Sequence, residues 1–301
     1  MPDLIKTVIS GTGKYVPSRI VRNEEFLNHL FMEKDGSPVL RANAETISKF
    51  QAITEIEERR YAKPEQTTSD LAYLAAKDAI ESSNTNKEEL DYIIVAHNFG
   101  DIKFGENRTD MVPTLASRVK FKLGIKNPNC VAYDLPFGCP GWLQGMIQAD
   151  YFIKSGDAKK VLVIGSETLS RIIDPHDRDS MIYADGAGST ILSASEDGSG
   201  GILSHKAQTH TQEQAYFLRM EGSYKEEYEF EDDIYLKMDG RKVYEYALIN
   251  VPLVMKMVVD KAGISYEKVK KVLVHQANGK MDEAILKRFF KLYGIDTPPA
   301  D

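Results

Sequence analysis

Cysteine is scarce in this sequence, and its scarcity narrows the classes of protein to consider. The 301 residues include only two cysteines, Cys130 and Cys139. Small secreted domains held by disulfides use many more, and a metal site built on thiolates also needs more sulfur ligands. Two cysteines favour a reducing compartment, and at least one of them is a candidate for chemistry.

The chain also lacks an excess of positive charge and any long apolar run. Lysine and arginine number 38 against 45 aspartates and glutamates, a formal net charge of −7. This charge gives no general attraction to nucleic acid or to an anionic membrane. No apolar run approaches the roughly 20 residues that span a bilayer, and no secretory signal is visible. We expect a cytoplasmic protein that binds neither nucleic acid nor membrane.

What the sequence does contain is an alternation of apolar runs and helical patterns. The composition, 42% hydrophobic and 28% charged, is typical of one large or two medium globular domains. Wholly apolar runs between helices of ten or more residues predict an α/β fold with a largely parallel, buried sheet. We predict helices at 68–83, 113–123, 140–155, 240–262 and 281–292, and strands at 5–13, 92–96, 131–133, 161–165, 188–193, 202–207 and 272–274.

One order of elements occurs twice. Residues 68–98 give a helix, a polar turn, an apolar strand and a histidine, and residues 240–278 repeat that order. The repetition suggests two duplicated halves, residues 1–200 and 201–301. The alternative is two unrelated α/β units that look similar because all such units do.

Cys139 lies between a predicted buried strand and a predicted helix. Gly138 permits a tight turn before it, and Pro140 suits the first position of the helix. The free amides and the dipole of a helix N-terminus stabilise a thiolate, so this position favours a nucleophile. For Cys130 we favour the commoner role of a small buried apolar residue.

His275 ends a predicted apolar strand, and Asn278 follows three residues later. The carboxyl end of a strand is where open α/β sheets collect ligands, and a neutral histidine there could donate a hydrogen bond to a thioester oxygen or an enolate. A single histidine at a strand end is more often structural, and that is the role we assign to His97 in the first half.

Two further patterns bear on ligands. The glycine-rich run 183–189 lacks the order of a dinucleotide fingerprint, and no Gly-Lys-Ser/Thr phosphate loop occurs, so nucleotide chemistry is disfavoured. We expect neither a cofactor nor a metal. The charged loop 171–178 could be a solvated surface held by ion pairs or an anion-binding rim.

Several motifs, in their order along the chain, resemble those of β-ketoacyl-acyl-carrier-protein synthase III, a condensing enzyme of the thiolase superfamily. The resemblance covers nearly the whole chain, and the order makes it specific although each motif is weak singly. The motifs are 9–17 (ISGTGKYVP), 58–60 (ERR), 68–72 (TSDLA), 138–142 (GCPGW), 161–171 (VLVIGSETLSR), 174–178 (DPHDR), 185–188 (DGAG) and 275–278 (HQAN).

The resemblance implies a thiolase-like five-layered αβαβα fold from two similar halves, assembled as a homodimer. It also implies a decarboxylative Claisen condensation. Cys139 would take an acyl group from a thioester of coenzyme A or of acyl-carrier protein. Malonyl-acyl-carrier protein would lose CO₂, and its carbanion would attack the acyl-cysteine. The product would be a 3-oxoacyl-acyl-carrier protein, at the start of fatty acid biosynthesis.

Five more residues receive roles from the resemblance alone. His275 matches the histidine that stabilises the enolate, and Asn278 matches a residue lining the pantetheine tunnel. Arg178 matches a residue at the tunnel mouth that contacts coenzyme A. Val112 aligns with a pocket position contributed by the dimer partner, and the large Phe137 implies a pocket unlike that of acetyl-specific enzymes.

The chain departs from the family pattern in two ways. The family's catalytic Asn lies in a Gly-Asn-Thr/Ser motif that does not occur after His275, and only 26 residues follow that histidine. We therefore expect the second half to be truncated at its C-terminus. Lys49 and Ile53 stand where the family usually has a Trp and an Arg gripping the adenine of coenzyme A, which favours a primer carried on acyl-carrier protein.

Two other functions stay open at this level. One is a related condensing enzyme of a secondary pathway, of alkylresorcinol, polyketide or hydroxymethylglutaryl type. The other is a non-catalytic thiolase-fold partner in a heterodimer. The presence of both Cys139 and His275 disfavours the second, since such partners usually lose the nucleophile.

Overall fold

The chain forms two compact units. A computed structural model describes residues 5–195, 200–225 and 233–296. The first unit comprises Met1–Ile20, Arg60–Arg171 and Ala184–Ile202, and the second comprises Val21–Arg59, Ile172–Tyr183 and Leu203–Asp301.

Nine strands and six α-helices are present in the described ranges, and none of these helices has the length and apolar character needed to cross a bilayer. The strands are β1 (Lys6–Tyr15), β2 (Arg19–Arg22), β3 (Glu58–Tyr61), β4 (Tyr92–His97), β5 (Val131–Pro136), β6 (Lys160–Thr168), β7 (Asp185–Ser195), β8 (Leu218–Glu221) and β9 (Tyr235–Met238). The helices are α1 (Asn43–Thr54), α2 (Thr68–Ser82), α3 (Leu115–Leu123), α4 (Gly141–Ser155), α5 (Gly240–Ala262) and α6 (Gly279–Lys291).

A five-stranded sheet in the order β1-β7-β6-β4-β5 forms the centre of the first unit. β4 pairs in parallel with β5 and β6, whereas β7 pairs antiparallel with β6 and β1. The α/β class is confirmed, but the prediction of a largely parallel sheet was wrong for two of the four pairings. A strand that pairs in parallel with the strand before it needs a long crossover connection, which usually contains a helix. The connection from β6 to β7 contains only two short 3₁₀ helices.

Side chains of this sheet alternate between its two faces. On β4, Ile93 and Val95 pack with α2 and α3, while Ile94 between them packs with α4. On β6, Leu162 and Val163 divide in the same way. Because helices cover both faces, residues 93–96 of β4 and 161–164 of β6 are all apolar, and each fully buried side chain contributes about 1.5–3 kcal/mol of transfer free energy.

The described part of the second unit is built on α5 and α6. Leu248 of α5 packs with Met281 and Ile285 of α6, and β8 pairs antiparallel with β9. The prediction for α5 matches its limits, and α6 begins two residues before the predicted start.

Two predicted strands are absent from the described residues, since 202–207 and 272–274 have no regular secondary structure. A strand forms where a neighbour exchanges backbone hydrogen bonds with it. β8 and β9 pair with each other, and Leu273 is 87% exposed. The apolar pattern at 272–274 was therefore insufficient to form a strand, because no described strand pairs with these residues.

The helix and the polar turn of the repeated order are both present in each copy. α2 is followed by the 3₁₀ helix Lys87–Glu89 and α5 by Tyr266–Lys268, and a side chain, Asn86 or Ser265, caps each of them. β4 comes next in the first case only. The compact units have other limits than residues 1–200 and 201–301, and the division into duplicated halves stays a prediction.

Candidate active site

Cys139 lies in the tight turn between β5 and α4. Gly138 has φ +76°, a backbone conformation that favours glycine, and its carbonyl accepts a 2.9 Å hydrogen bond from the amide of Gly141. Pro140 is the N-cap residue of α4, so the predicted first helical position was wrong by one residue. The turn places Cys139 immediately before the N-terminus of α4.

Small residues let α4 approach the sheet closely. A Cβ on Gly141 would lie 2.9 Å from Cβ of Ala96, and one on Gly145 would lie 2.7 Å from a methyl group of Val163. Both distances are too short for a side chain. This packing fixes the start of α4, and hence the Cys139 turn, against the carboxyl end of β4.

Cys139 is an exposed residue, while Cys130 is buried, as predicted for Cys130. Loss of surrounding water raises the pKa of the Cys139 thiol above its ordinary value, its own backbone N–H opposes this, and the charge of Glu167 raises the pKa further. The turn therefore presents an accessible nucleophile, but its surroundings favour the thiol over the thiolate predicted from the helix N-terminus alone.

Asn98 and Glu167 lie beside this turn, and the sequence interpretation gave neither a role. Oε2 of Glu167 accepts hydrogen bonds from the backbone N of Asn98 at 2.7 Å and from its Nδ2 at 2.8 Å. A Cβ on Gly138 would lie 3.7 Å from Oδ1 of Asn98. Each of them follows the end of a predicted apolar strand, where open α/β sheets collect ligands, and this was the signal that could have identified them.

His97 has the structural environment expected of it. Its side chain is fully buried, Nδ1 accepts a hydrogen bond from the amide of Gly100 at 3.0 Å, and Nε2 lies 3.1 Å from Oδ2 of Asp134. We assign the proton to Nε2 because Nδ1 acts as an acceptor. The Asp134 carboxylate also accepts from the first amides of α3, so these groups fix the strand ends.

Arg178, His275 and Asn278 belong to the second unit, whereas Cys139 belongs to the first. His275 is exposed, in a segment without strand structure. Asn278 is the N-cap of α6, and its Oδ1 accepts from the amide of Met281 at 2.8 Å. The placement of histidine and carboxamide close together in the chain is as predicted, but the strand expected to carry His275 is not there.

The charged loop contains both buried and exposed groups. Arg171 is buried in the first unit, donates to the carbonyl of Lys63, and lies with its guanidinium 4.7 Å from the ring centroid of Phe104. Arg178 is exposed and pairs with Glu33 at 3.0 Å. Of the two, only Arg178 can offer its guanidinium to an anion at the surface, in exchange for Glu33.

A buried lysine holds the segment that carries Arg178. Nζ of Lys237, on β9, lies 2.5 Å from Asp174 and 3.7 Å from Asp177, and 3.3 Å from the ring centroid of Tyr224. Burial alone would raise the pKa of Asp174, but hydrogen bonds from Lys237 and from two backbone amides bring it below its ordinary value. The ionised pair fastens this segment to β9.

Replacing Lys237 by methionine should lower the free energy of unfolding by about 3–5 kcal/mol, because Asp174 would become a buried carboxylate without its cation. Lys242, an exposed lysine 3.4 Å from Asp239, is the matched control, and Lys242→Met should cost less than about 1 kcal/mol. Urea unfolding followed by circular dichroism measures both. Equal losses for the two variants would show that the buried pair does not hold the segment.

The remaining candidate positions are exposed. Val112, in the connection from β4 to α3, is 86% exposed, and Phe137 is 41% exposed two residues before Cys139. On α1, Lys49 pairs with Glu45 at 3.1 Å, and Ile53 is 64% exposed. Across the described ranges, no group of three or more His, Cys, Asp or Glu residues is arranged to hold a metal ion.

Comparison with known proteins identifies the family of this chain. The family model described as 3-oxoacyl-[acyl-carrier-protein (ACP)] synthase III matches residues 133–211, which include the Cys139 turn. β-Ketoacyl-[acyl-carrier-protein] synthase III 1 of Vibrio vulnificus is 35% identical over 282 residues, which are 93% of this chain and 80% of that protein. The synthase III of Neisseria meningitidis is 33% identical over 93% of this chain and 79% of its own length.

The chain belongs to the β-ketoacyl-acyl-carrier-protein synthase III family. The crystal structure of the Thermus thermophilus synthase III matches with a TM-score of 0.75 at 29% identity, over 93% of this chain and 80% of that one. A priming β-ketosynthase of the R1128 polyketide pathway, at 23% identity, has the same fold with a TM-score of 0.79, over 96% of this chain and 80% of its own.

Membership confirms the resemblance and the thiolase-like α/β fold that it implied. This synthase III family member is an acyltransferase-type condensing enzyme. The secondary-pathway enzyme and the non-catalytic partner are not favoured by these relatives.

Proposed function

We propose that this synthase III condenses an acyl thioester primer with malonyl-acyl-carrier protein, giving a 3-oxoacyl-acyl-carrier protein, CO₂ and a free carrier thiol. The observation that carries the proposal is the exposed Cys139 at the start of α4, in a chain whose relatives are named for this synthesis.

The first step is acyl transfer. Sγ of the Cys139 thiolate attacks the primer's carbonyl carbon, and the carbonyl oxygen takes up the electron pair. Collapse of this intermediate expels the carrier as a thiolate, which takes up the proton that Cys139 released on ionising. Backbone N–H groups at the start of α4 and the helix dipole are suited to stabilise the oxyanion. Because its pKa is raised, the thiol should react faster as the pH rises towards that value.

In the second step malonyl-acyl-carrier protein loses CO₂, and the electron pair of the broken bond passes into an enolate. Its carbon attacks the acyl group on Cys139 and expels Sγ. His275 is proposed to donate a hydrogen bond to the enolate oxygen, which develops charge only in this step. For pantetheine, Asn278 can offer its amide N–H₂, since its oxygen caps α6.

Acyl-carrier protein is the primer carrier that α1 favours. Lys49 is engaged with Glu45, and Ile53 is an exposed aliphatic residue. An adenine ring gains most from an aromatic or guanidinium plane, and neither residue provides one. We propose that Arg178 contacts the phosphate of the pantetheine arm, which both carriers share.

The experiment is intact-mass measurement of the chain after incubation with acyl thioesters of coenzyme A and of acyl-carrier protein. The expected result is one added acyl group, formed faster from the carrier protein. Absence of an adduct from every donor would reject the proposed function, and faster acylation by coenzyme A thioesters would reject the choice of carrier.

We also propose a homodimer formed through β5. β5 is the last strand of the sheet and pairs on one side with β4. An uncovered strand edge is a template for a further strand. At the opposite edge, Ile202 donates a hydrogen bond to Thr7 of β1, and a bulge after Ile9 distorts β1. We propose that Val112, which is 86% exposed, contacts the partner in this dimer.

Light scattering after gel filtration should give about twice the 33.8 kDa chain mass for the wild type. Val131→Asp should yield monomers, because pairing of β5 would remove the introduced carboxylate from water. Ile9→Asp is the matched control, an equally apolar residue of similar exposure on β1, 56% against 48%. A monomeric wild type, or a Val131→Asp variant as dimeric as Ile9→Asp, would reject this interface.

A further inference from the structure

The carboxyl ends of three neighbouring strands bring Cys139, Asn98 and Glu167 together. β4 lies between β5 and β6 and runs parallel to both. The turn with Cys139 follows β5, Asn98 follows β4, and Glu167 is the penultimate residue of β6. Asn98 therefore stands between the nucleophile turn and the carboxyl group.

The hydrogen bonds define how the Asn98 carboxamide is oriented. Oε2 of Glu167 accepts from both the backbone N and Nδ2 of Asn98, at 2.7 and 2.8 Å. Since Nδ2 points to Glu167, Oδ1 is directed away from it, and Oδ1 lies 3.7 Å from the place of a Cβ on Gly138. Gly138 is the residue with φ +76° that turns the chain into Cys139.

We propose that Glu167 is a positioning residue for acyl transfer, which through the Asn98 carboxamide fixes the turn that presents Cys139. The proposal rests on the proposed role of Cys139 as nucleophile. Oε2 of Glu167 accepts hydrogen bonds from both the backbone N and Nδ2 of Asn98, so Glu167 holds the Asn98 carboxamide at two points. A fixed turn matters because a small displacement of a nucleophile slows its attack strongly.

Glu167 also acts on Cys139 through its charge. Burial raises the pKa of Glu167, while the hydrogen bonds from Asn98 and the nearby imidazole of His97 oppose this. His97 itself faces Asp134 of β5. A carboxylate ionised near Cys139 disfavours the thiolate and moves reaction of the thiol to higher pH. The length of the Glu167 side chain, which sets its reach to Asn98, and its charge are therefore two properties that substitutions can separate.

Two substitutions separate them. Glu167→Gln keeps the reach and removes the charge, so the midpoint of Cys139 alkylation by iodoacetamide should move to lower pH. Acylation measured at equal thiolate fraction should stay within about threefold. Glu167→Asp keeps the charge and loses the reach, so the alkylation midpoint should stay while acylation slows about tenfold or more.

Glu88→Gln is the matched control. Glu88 also accepts hydrogen bonds from two backbone amides, those of Lys126 and Asn127, and is not among the groups that perturb Cys139. It should change neither reading. Asn98→Ala removes the carboxamide without altering Glu167 and should slow acylation as Glu167→Asp does, which tests the same link if the aspartate variant does not fold.

Wild-type acylation rates in Glu167→Asp, or in Asn98→Ala, would overturn the positioning role. An alkylation midpoint that Glu167→Gln leaves unchanged would overturn the action through charge. Alkylation needs no acyl donor, so its pH profile still tests the charge effect of Glu167 if the wild type forms no acyl-enzyme. Absence of an acyl-enzyme in the wild type would reject the proposed function instead.

Discussion

Replacing Cys139 by serine should abolish the acyl-enzyme, with acylation falling by at least about a thousandfold. The hydroxyl of serine is a much weaker nucleophile than a thiol, because a far smaller fraction of it is ionised near neutral pH. Intact-mass measurement over time with acyl-carrier-protein thioesters reads the effect directly. Because the substitution changes one atom in an exposed turn, the fold should be retained.

Cys130→Ser is the control for this experiment. Cys130 is buried, and burial raises the pKa of its thiol above the ordinary value. Its replacement should leave the acyl adduct at one per chain and the rate nearly unchanged. An adduct that persists in Cys139→Ser and disappears in Cys130→Ser would contradict the assignment of the nucleophile.

The first unit was predictable from the sequence because its strands are buried on both faces. Such strands read as wholly apolar runs, and the helix predicted to start at residue 68 does start there as α2. The direction of β7 was not predictable in the same way, since strand direction depends on the connection and not on the apolar pattern.

The candidate site was predictable where the backbone itself sets the chemistry. Gly138 before Cys139, followed by a helix, indicated a thiol at a helix N-terminus, and Cys139 lies immediately before the N-cap of α4. The direction of the pKa shift of the thiol was not predictable, because it depends first on the loss of surrounding water and then on the charge of Glu167, which is 28 residues away in sequence. Neighbouring parallel strands bring such residues together, and a single sequence shows no pairing order.

The second unit contains a strand prediction that was wrong. An apolar triplet at 272–274 before His275 is a sufficient pattern for a strand only where another strand lies beside it. The same triplet has an 87% exposed Leu273 here. His275 was recognised by the motif 275–278 (HQAN). A strand that ends at His275 would need a neighbouring strand to pair with, and the triplet 272–274 does not provide one by itself.

Replacing His275 by alanine should separate the two chemical steps. The acyl transfer from the primer depends on the Cys139 turn, so single-turnover acylation should stay within about threefold of the wild type. Decarboxylation of malonyl-acyl-carrier protein should slow about a hundredfold or more, because a donor to the enolate oxygen acts only on the charge that develops there. Release of labelled CO₂ measures the second step.

His210 provides the control, as an exposed histidine of the same unit that packs edge-on against Tyr246. His210→Ala should change neither step. If His275→Ala slowed acylation as much as decarboxylation, the histidine would act on the thiol and not on the enolate. Since the surroundings of Cys139 favour the protonated thiol, the pH profile of acylation distinguishes these cases: a histidine that acts only on the enolate leaves that profile unchanged.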